Sequence, residues 1–173
     1  MLEIIQRRRS SRKFDSSRPV EEEKIAQIVE AGLLAPSGMN RQPGEIVVIS
    51  NKKIRDQYAK LNAKVGGWPG DFDPFYGAPV ILLVVCKDCP YPELDGGAMI
   101  QNMLLEATNQ GLGTCWIHRA KAELELPEAR ELLKAAGFDA EGYVGVDHIA
   151  LGYSLEDSFK EKAIRPDRVH YIR

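Results

Sequence analysis

The sequence predicts a three-layer domain of mixed α and β structure, and three observations lead there. Helix-period and strand-length segments interleave along the 173 residues without a strict repeating unit. The run from Pro79 to Cys86 is apolar throughout, which describes a strand covered on both faces rather than one with a wet side. With 44% hydrophobic residues and 28% charged ones, the chain has enough apolar material for one substantial core and no more than one. No internal repeat, low-complexity segment or interdomain linker divides it, so residues 1–173 are read as a single domain.

The elements follow in order. Leu2 and Ile5 mark a short opening helix that carries arginines at its C-terminal end, where the helix dipole favours cations. Residues 21 to 34 open with Glu21, Glu22 and Glu23 and place Ile25, Ile28, Val29, Gly32 and Leu33 at helical spacing. That helix must end near Ala35, because Pro36 disfavours helical geometry in the residue before it. A loop from Pro36 to Pro43 follows, then a strand from Glu45 to Ser50 and a helix marked by Ile54, Tyr58 and Leu61. Gly66 to Gly77 has neither period and is a long loop carrying four aromatics, read either as a cover for a planar ligand or as a plug on the core. Pro79 to Cys86 is the central strand, and Asp95 to Gln110, apolar around most of its circumference, is a buried helix stopped by Gly111. A strand from Gly113 to His118, a helix from Pro127 to Ala136 with proline in its first turn, and a last core strand from Val146 to Gly152 complete the order. From Ser154 onward the chain is polar and charged.

Composition narrows function. A formal net charge of -2 leaves no overall basic footprint for nucleic acid. No stretch approaches the run of about 20 apolar residues that a membrane span needs, and the first residues are amphipathic and arginine-rich rather than signal-like. Three cysteines, an odd number, fit a reducing compartment, and a cytoplasmic protein is expected. The sequence contains no dinucleotide-binding glycine fingerprint, P-loop, nucleophile elbow or zinc-protease helix. Cys86 and Cys89 have redox-pair spacing but end an apolar strand, where cysteine serves as a small hydrophobe; Cys115 reads the same way. His118, His148 and His170 show no metal-ligand spacing, so no metal is expected. With no nucleophile, metal or acid-base pair in view, reactive chemistry would have to come from a cofactor, and no catalytic side chain is assigned.

Positive charge is nevertheless concentrated at one place. Arg8, Arg9, Arg12 and Lys13 stand beside Ser10 and Ser11 within seven residues. Guanidinium forks and small hydroxyls suit a phosphate, while a solvated basic arm is the competing reading. Two more stretches join this one: Ala35-Pro36-Ser37-Gly38-Met39-Asn40-Arg41-Gln42-Pro43 after the first long helix, and Gly111-Leu112-Gly113-Thr114-Cys115-Trp116-Ile117 after the buried one. In register with Arg8-Arg9-Ser10 and with Lys162 to Pro166, they resemble the nitroreductase family of flavin enzymes across nearly the whole chain.

The resemblance implies an α+β, three-layer fold with a mixed, mainly antiparallel central sheet, and a homodimer with FMN at the subunit interface. It implies that Arg8, Arg9 and Ser10 hold the phosphate and the pyrimidine edge, with Arg12 nearby. Pro36, Ser37, Gly38 and Asn40 would reach the flavin of the other subunit. Trp116, Ile117 and His118 would line the ring or its N5 edge, Lys162 and Arg165 would approach the phosphate, and the tail from about 154 to 173 would wrap the partner. NADH or NADPH would reduce the flavin, and a nitroaromatic, quinone or flavin acceptor would reoxidise it in a ping-pong cycle. Reductive dehalogenation, flavin fragmentation and a non-catalytic flavin-binding module remain alternatives on the same scaffold. Two departures from the family pattern bear on the acceptor. His118 and Arg119 stand where glycine often follows Trp116-Ile117, adding charge near the ring edge, and Gly44 stands where an aromatic is common. The only stretch fit to close over a substrate is the loop from Trp68 to Tyr76.

Overall fold

In the computed structural model, which describes residues 1–156 and 162–173, four strands form one sheet in the order β1-β2-β4-β3. They are β1 (Gly44–Ile49), β2 (Val80–Lys87), β3 (Gly113–Ile117) and β4 (Tyr143–Gly152), and each neighbouring pair is antiparallel. The parallel component among the described residues is one isolated bridge, Ser10 to Thr114, on the outer side of β3.

The two middle strands are β2 and β4, and β2 is buried from Val80 to Cys86 as its unbroken apolar run demands. Alternation sends Ile81, Leu83 and Val85 into one core, and Val80, Leu82, Val84 and Cys86 into the other. Helices α2 (Glu22–Leu33) and α4 (Pro92–Asn109) cover the second face, contributing Ile28, Met99, Ile100, Met103 and Leu104. Helices α3 (Lys52–Gly66), α5 (Ala120–Leu124) and α6 (Pro127–Ala135) cover the first through Tyr58, Leu124 and Leu133. Helix α1 (Leu2–Arg7) packs near α4 and delivers the arginines. Layer order is therefore helices, sheet, helices.

Local chemistry sets the boundaries. The Asn51 side chain caps α3 by accepting from the amides of Lys53 and Ile54, and left-handed Gly67 closes it. Helix α4 starts at Pro92, three residues before the apolar period begins, because proline needs no amide partner in a first turn. Strand β4 starts at Tyr143 rather than Val146, and its pairing with β2 shifts register at Val84 and Val85. At Gly145 the α5 backbone lies so close that a Cβ would collide with the Ala120 carbonyl, so glycine lets α5 sit on the sheet. Helix α5 itself was not expected, since one turn of helix leaves no period to read.

The aromatic loop is a plug over its second half. Phe75 is fully buried. Arg55, itself buried, donates to the Ala78 carbonyl (2.8 Å) and to Asp73 Oδ2 (2.6 Å), while Asp73 accepts from the amides of Phe75 and Gly77. The first half keeps Trp68 and Phe72 at the surface, stacked edge to face with centroids 4.9 Å apart. No helix among the described residues is long and apolar enough to cross a membrane.

Candidate functional site

Where α1 ends, the chain runs past the outer side of β3, and the Ser11 amide donates to the Thr114 carbonyl at 2.8 Å. This contact seats the basic cluster. Arg7, Arg9, Ser10, Ser11 and Arg12 line a cavity of about 700 Å³, closed on its other sides by Thr108, Gly111, Leu112, Gly113, Tyr153, Ser154 and Glu156. Gly113 is needed here, because a Cβ would meet Ser11 Oγ at 2.7 Å and Ser154 Cβ at 2.9 Å. Burial, then the charge of Arg9, lowers the Arg8 guanidinium from its ordinary value. Arg8 and Arg12 take part in no ion pair among the described residues. Arg9 is steadied by the carbonyls of Gln6 (2.6 Å) and Arg8 (2.7 Å). Glu156 accepts from the Arg12 amide at 2.6 Å and brings one carboxylate to the rim.

The loop after α2 is a second, separate group. Ser37 Oγ accepts from the Gln42 amide (2.9 Å), the Gly38 amide donates to Asp95 Oδ1 (3.1 Å), and Asn40 Oδ1 accepts from Gln42 Nε2 (3.1 Å). Met39, Asn40 and Gln42 all have positive φ, near 50°, an uncommon run for residues other than glycine. Pro36, Ser37, Gln42, Pro43 and Asp95 line a cavity of about 290 Å³ that shares no residue with the arginine cavity. Within one chain, therefore, Pro36, Ser37, Gly38 and Asn40 are not brought to Arg8, Arg9, Ser10 and Arg12.

Strand β3 links the basic cluster to a third group. It is an edge strand, bridged at Thr114 by Ser10 and paired with β4 on its other side. Thr114 Oγ1 is buried without a hydrogen-bond partner. At the far end, Trp116 Nε1 and His118 Nδ1 both lie 2.8 Å from Asp147 Oδ2. Ile117 is buried and belongs to the core. Arg119 has φ 90° and directs its guanidinium to Asn62 Oδ1 (3.0 and 3.1 Å) and over the Trp68 ring, 4.2 Å from its centroid. Its charge is committed to the protein rather than held out as an anion anchor.

Lys162 and Arg165 are exposed and line neither cavity, and residues 157–161 of the tail lie outside those described. Cys86 and Cys115 are free and buried. Burial pushes the Cys86 thiol up to about 12, and it also raises Cys115, against the lowering effect of Arg12 and Ser10. Neither is a nucleophile at neutral pH. No group of three or more potential metal ligands gathers among the described residues. Sequence reading overlooked Asp147, Asn62, Thr108 and Glu156. A signal existed for Asp147 alone: a carboxylate inside the apolar run of a core strand needs a reason.

Fold and site together define an α+β protein with an arginine-lined cavity beside an open sheet edge. The chain belongs to the nitroreductase family, whose model matches residues 5–66 and 67–153. A solved nitroreductase with bound FMN from Bacteroides fragilis superimposes with a TM-score of 0.87 at 26% identity, covering 99% of this chain and 98% of that one. A second, also a nitroreductase with bound FMN, from Desulfitobacterium hafniense, gives 0.82 at 28% identity over 99% and 97%. An Archaeoglobus fulgidus protein, provisionally named an NADH dehydrogenase/NAD(P)H nitroreductase, is 30% identical over 98% of this chain and 95% of its own.

Proposed function

We propose that this protein is an FMN-dependent oxidoreductase that carries electrons from NADH or NADPH to a nitroaromatic, quinone or flavin acceptor, working as a homodimer. The observation that carries the reading is the arginine and serine cavity at one end of the unpaired edge of β3. FMN fits this donor set. Its phosphate matches the Arg12 guanidinium and the hydroxyls of Ser10 and Ser11, with Arg8 adjacent in the chain, and its polar ring edge matches the backbone groups of an edge strand. When bound, FMN supplies hydride chemistry in separate donor and acceptor half-reactions, the ping-pong pattern.

The side chains bind and orient. Arg8, Arg9, Ser10 and Arg12 hold the phosphate and place positive charge near the pyrimidine edge, which favours a reduced, anionic ring. Trp116 and Ile117 form the strand along which the ring lies. Lys162 and Arg165 add charge to the phosphate once the tail is in place.

Dimerisation completes the site by joining the Pro36 loop of one copy to the basic cluster of the other. Apolar surface supports it: Leu33, Leu34, Met39 and Leu94 are between 55% and 84% exposed on the α2 and α4 side. In the tail, Ile164, Val169, Tyr171 and Ile172 are 68% exposed or more, which is unfavourable unless a partner covers them.

Purified protein is expected to be a yellow dimer that oxidises NADH or NADPH when a quinone is added, with parallel double-reciprocal lines as donor and acceptor are varied. A colourless monomer would overturn the cofactor and the assembly. Bound flavin without acceptor-dependent turnover would leave a binding module in place of an enzyme.

A further inference from the structure

The basic cluster stands at one end of edge strand β3, and the His118, Asp147 and Trp116 group at the other. Thr114 and His118 are four residues apart, or about 13 Å at the ~3.3 Å rise of a strand. A planar ligand anchored at Ser10 and laid along that edge would extend toward His118. We propose that His118 is the acid that hydrogen-bonds and protonates the carbonyl oxygen of a quinone-type acceptor, with Asp147 as its positioning residue. This rests on the oxidoreductase reading above and supplies the proton that must accompany each hydride.

The argument is one of donors and acceptors. Indole Nε1 can only donate, so Asp147 Oδ2 is the acceptor for Trp116 and equally for His118 Nδ1. That contact assigns the Nδ1 proton and leaves Nε2 as the nitrogen that takes up and releases the transferable one. Exposure divides the roles: the His118 side chain is 74% accessible and the Asp147 side chain 14%. An anchored carboxylate thus holds an imidazole at the surface, the base-and-orienter pairing expected of a group that moves protons. The neighbouring Arg119 is tied to Asn62 and stacked on Trp68, and a guanidinium does not release its proton in any case. Among the described residues, Asp147 is the charged group paired with His118, and Arg119 is its neighbour in the chain. His148 and Glu123 lie on the opposite face of β4, because strand neighbours alternate.

The step balances. The hydride equivalent from NADH or NADPH brings two electrons and one proton to the quinone, leaving one oxygen as an anion. That oxygen takes the Nε2 proton of the His118 imidazolium; an O–H bond forms, the N–H bond breaks, and hydroquinone departs. Neutral His118 then regains a proton from water at its exposed nitrogen.

Ferricyanide, which accepts an electron and no proton, gives the contrast that tests this. In the flavin-loaded protein, His118→Gln is expected to lower kcat/KM for 2-methyl-1,4-naphthoquinone by about 100-fold. Per bound flavin, the ratio of quinone to ferricyanide turnover should fall by a similar factor, because ferricyanide takes up no proton. Wild-type kcat/KM for the quinone should fall as pH rises, and this limb should vanish in the variant. Asp147→Asn should weaken the quinone reaction in the same selective way. A readout independent of turnover comes from the FMN-free protein in a Trp68→Phe background. There Trp116, whose ring centroid lies 6.4 Å from that of His118, should show pH-dependent emission that His118→Gln abolishes. Equal loss with both acceptors, no loss with quinone, or unchanged Trp116 emission would each overturn the role of His118. A wild-type protein inactive with both acceptors would instead overturn the oxidoreductase reading, and the proposal with it.

Discussion

Glu123 and His148 are both fully buried, with Oε2 and Nε2 2.7 Å apart, and Tyr58 packs edge-on against the imidazole at 5.6 Å. His148 Nδ1 also lies 3.1 Å from the Ile117 carbonyl, which ties this cluster to the end of β3. Removing one member of such a pair strands the other, so Glu123→Ala should cost about 3–5 kcal/mol in denaturant unfolding. Tyr58 supplies a pH test. Burial, and then the Glu123 charge, raises its phenol well above the ordinary 10.0, so the folded protein keeps a proton that the unfolded chain releases. Stability from this source is complete below pH 10 and is lost as pH climbs toward the raised value, the sign that follows when the unfolded state binds fewer protons. Tyr58→Phe should therefore flatten the alkaline fall in melting temperature, and an unchanged slope would assign that fall elsewhere. At the site, Arg8→Ala with Arg9→Ala should weaken FMN retention at least 10-fold while the melting temperature of the FMN-free protein moves by only a few degrees, as expected for half-buried side chains outside the core. Full flavin occupancy in that double variant would show that the cluster holds something else.

Elements were legible in the sequence wherever their own residues decided the outcome. The apolar β2, the amphipathic α2 and the proline start of α6 each carry their signal within a few neighbours. What escaped depends on pairs distant in sequence: α5 is fixed by its seat on Gly145, and the start of β4 by its partners in β2. The candidate site divides the same way. Arg8 to Arg12 announce themselves by charge, whereas Asn62 matters only because folding puts it under Arg119, 57 residues on. The loop between α3 and β2 offered two readings, and the plug describes its second half. Phe75 plugs the core under the Arg55 and Asp73 pair, while Trp68 and Phe72 stay at the surface beside Arg119. Asp73→Ala leaves buried Arg55 without its carboxylate and the Phe75 and Gly77 amides without their acceptor. It should cost about 2–3 kcal/mol, less than a fully buried pair because Asp73 keeps solvent contact, and should expose the loop to limited proteolysis.

At the scale of the whole molecule, the chain carries two cavities that its own fold keeps apart. The arginine cavity and the Pro36 loop cavity have separate linings, and the strain of three non-glycine residues with positive φ within four positions, Met39, Asn40 and Gln42, would serve no purpose on an idle surface. A second copy resolves both matters if the exposed Leu33, Leu34, Met39 and Leu94 surface is the interface and the tail lies across the neighbour. The tail and the interface should then be linked energetically. On the proposed assembly, removing residues 162–173 would take Lys162 and Arg165 from the phosphate and four apolar side chains from the partner. Buried on assembly, these would contribute on the order of 1 kcal/mol each or more. The truncated protein is expected to keep its helical and sheet circular dichroism, to dissociate at concentrations at least 10-fold higher than the full chain in sedimentation, and to lose FMN in parallel as it dissociates. Dimer and flavin retained together at full-chain affinity would remove the tail from the site. Flavin retained by a monomer would go further, showing that the arginine cavity is sufficient and that the Pro36 loop serves another purpose.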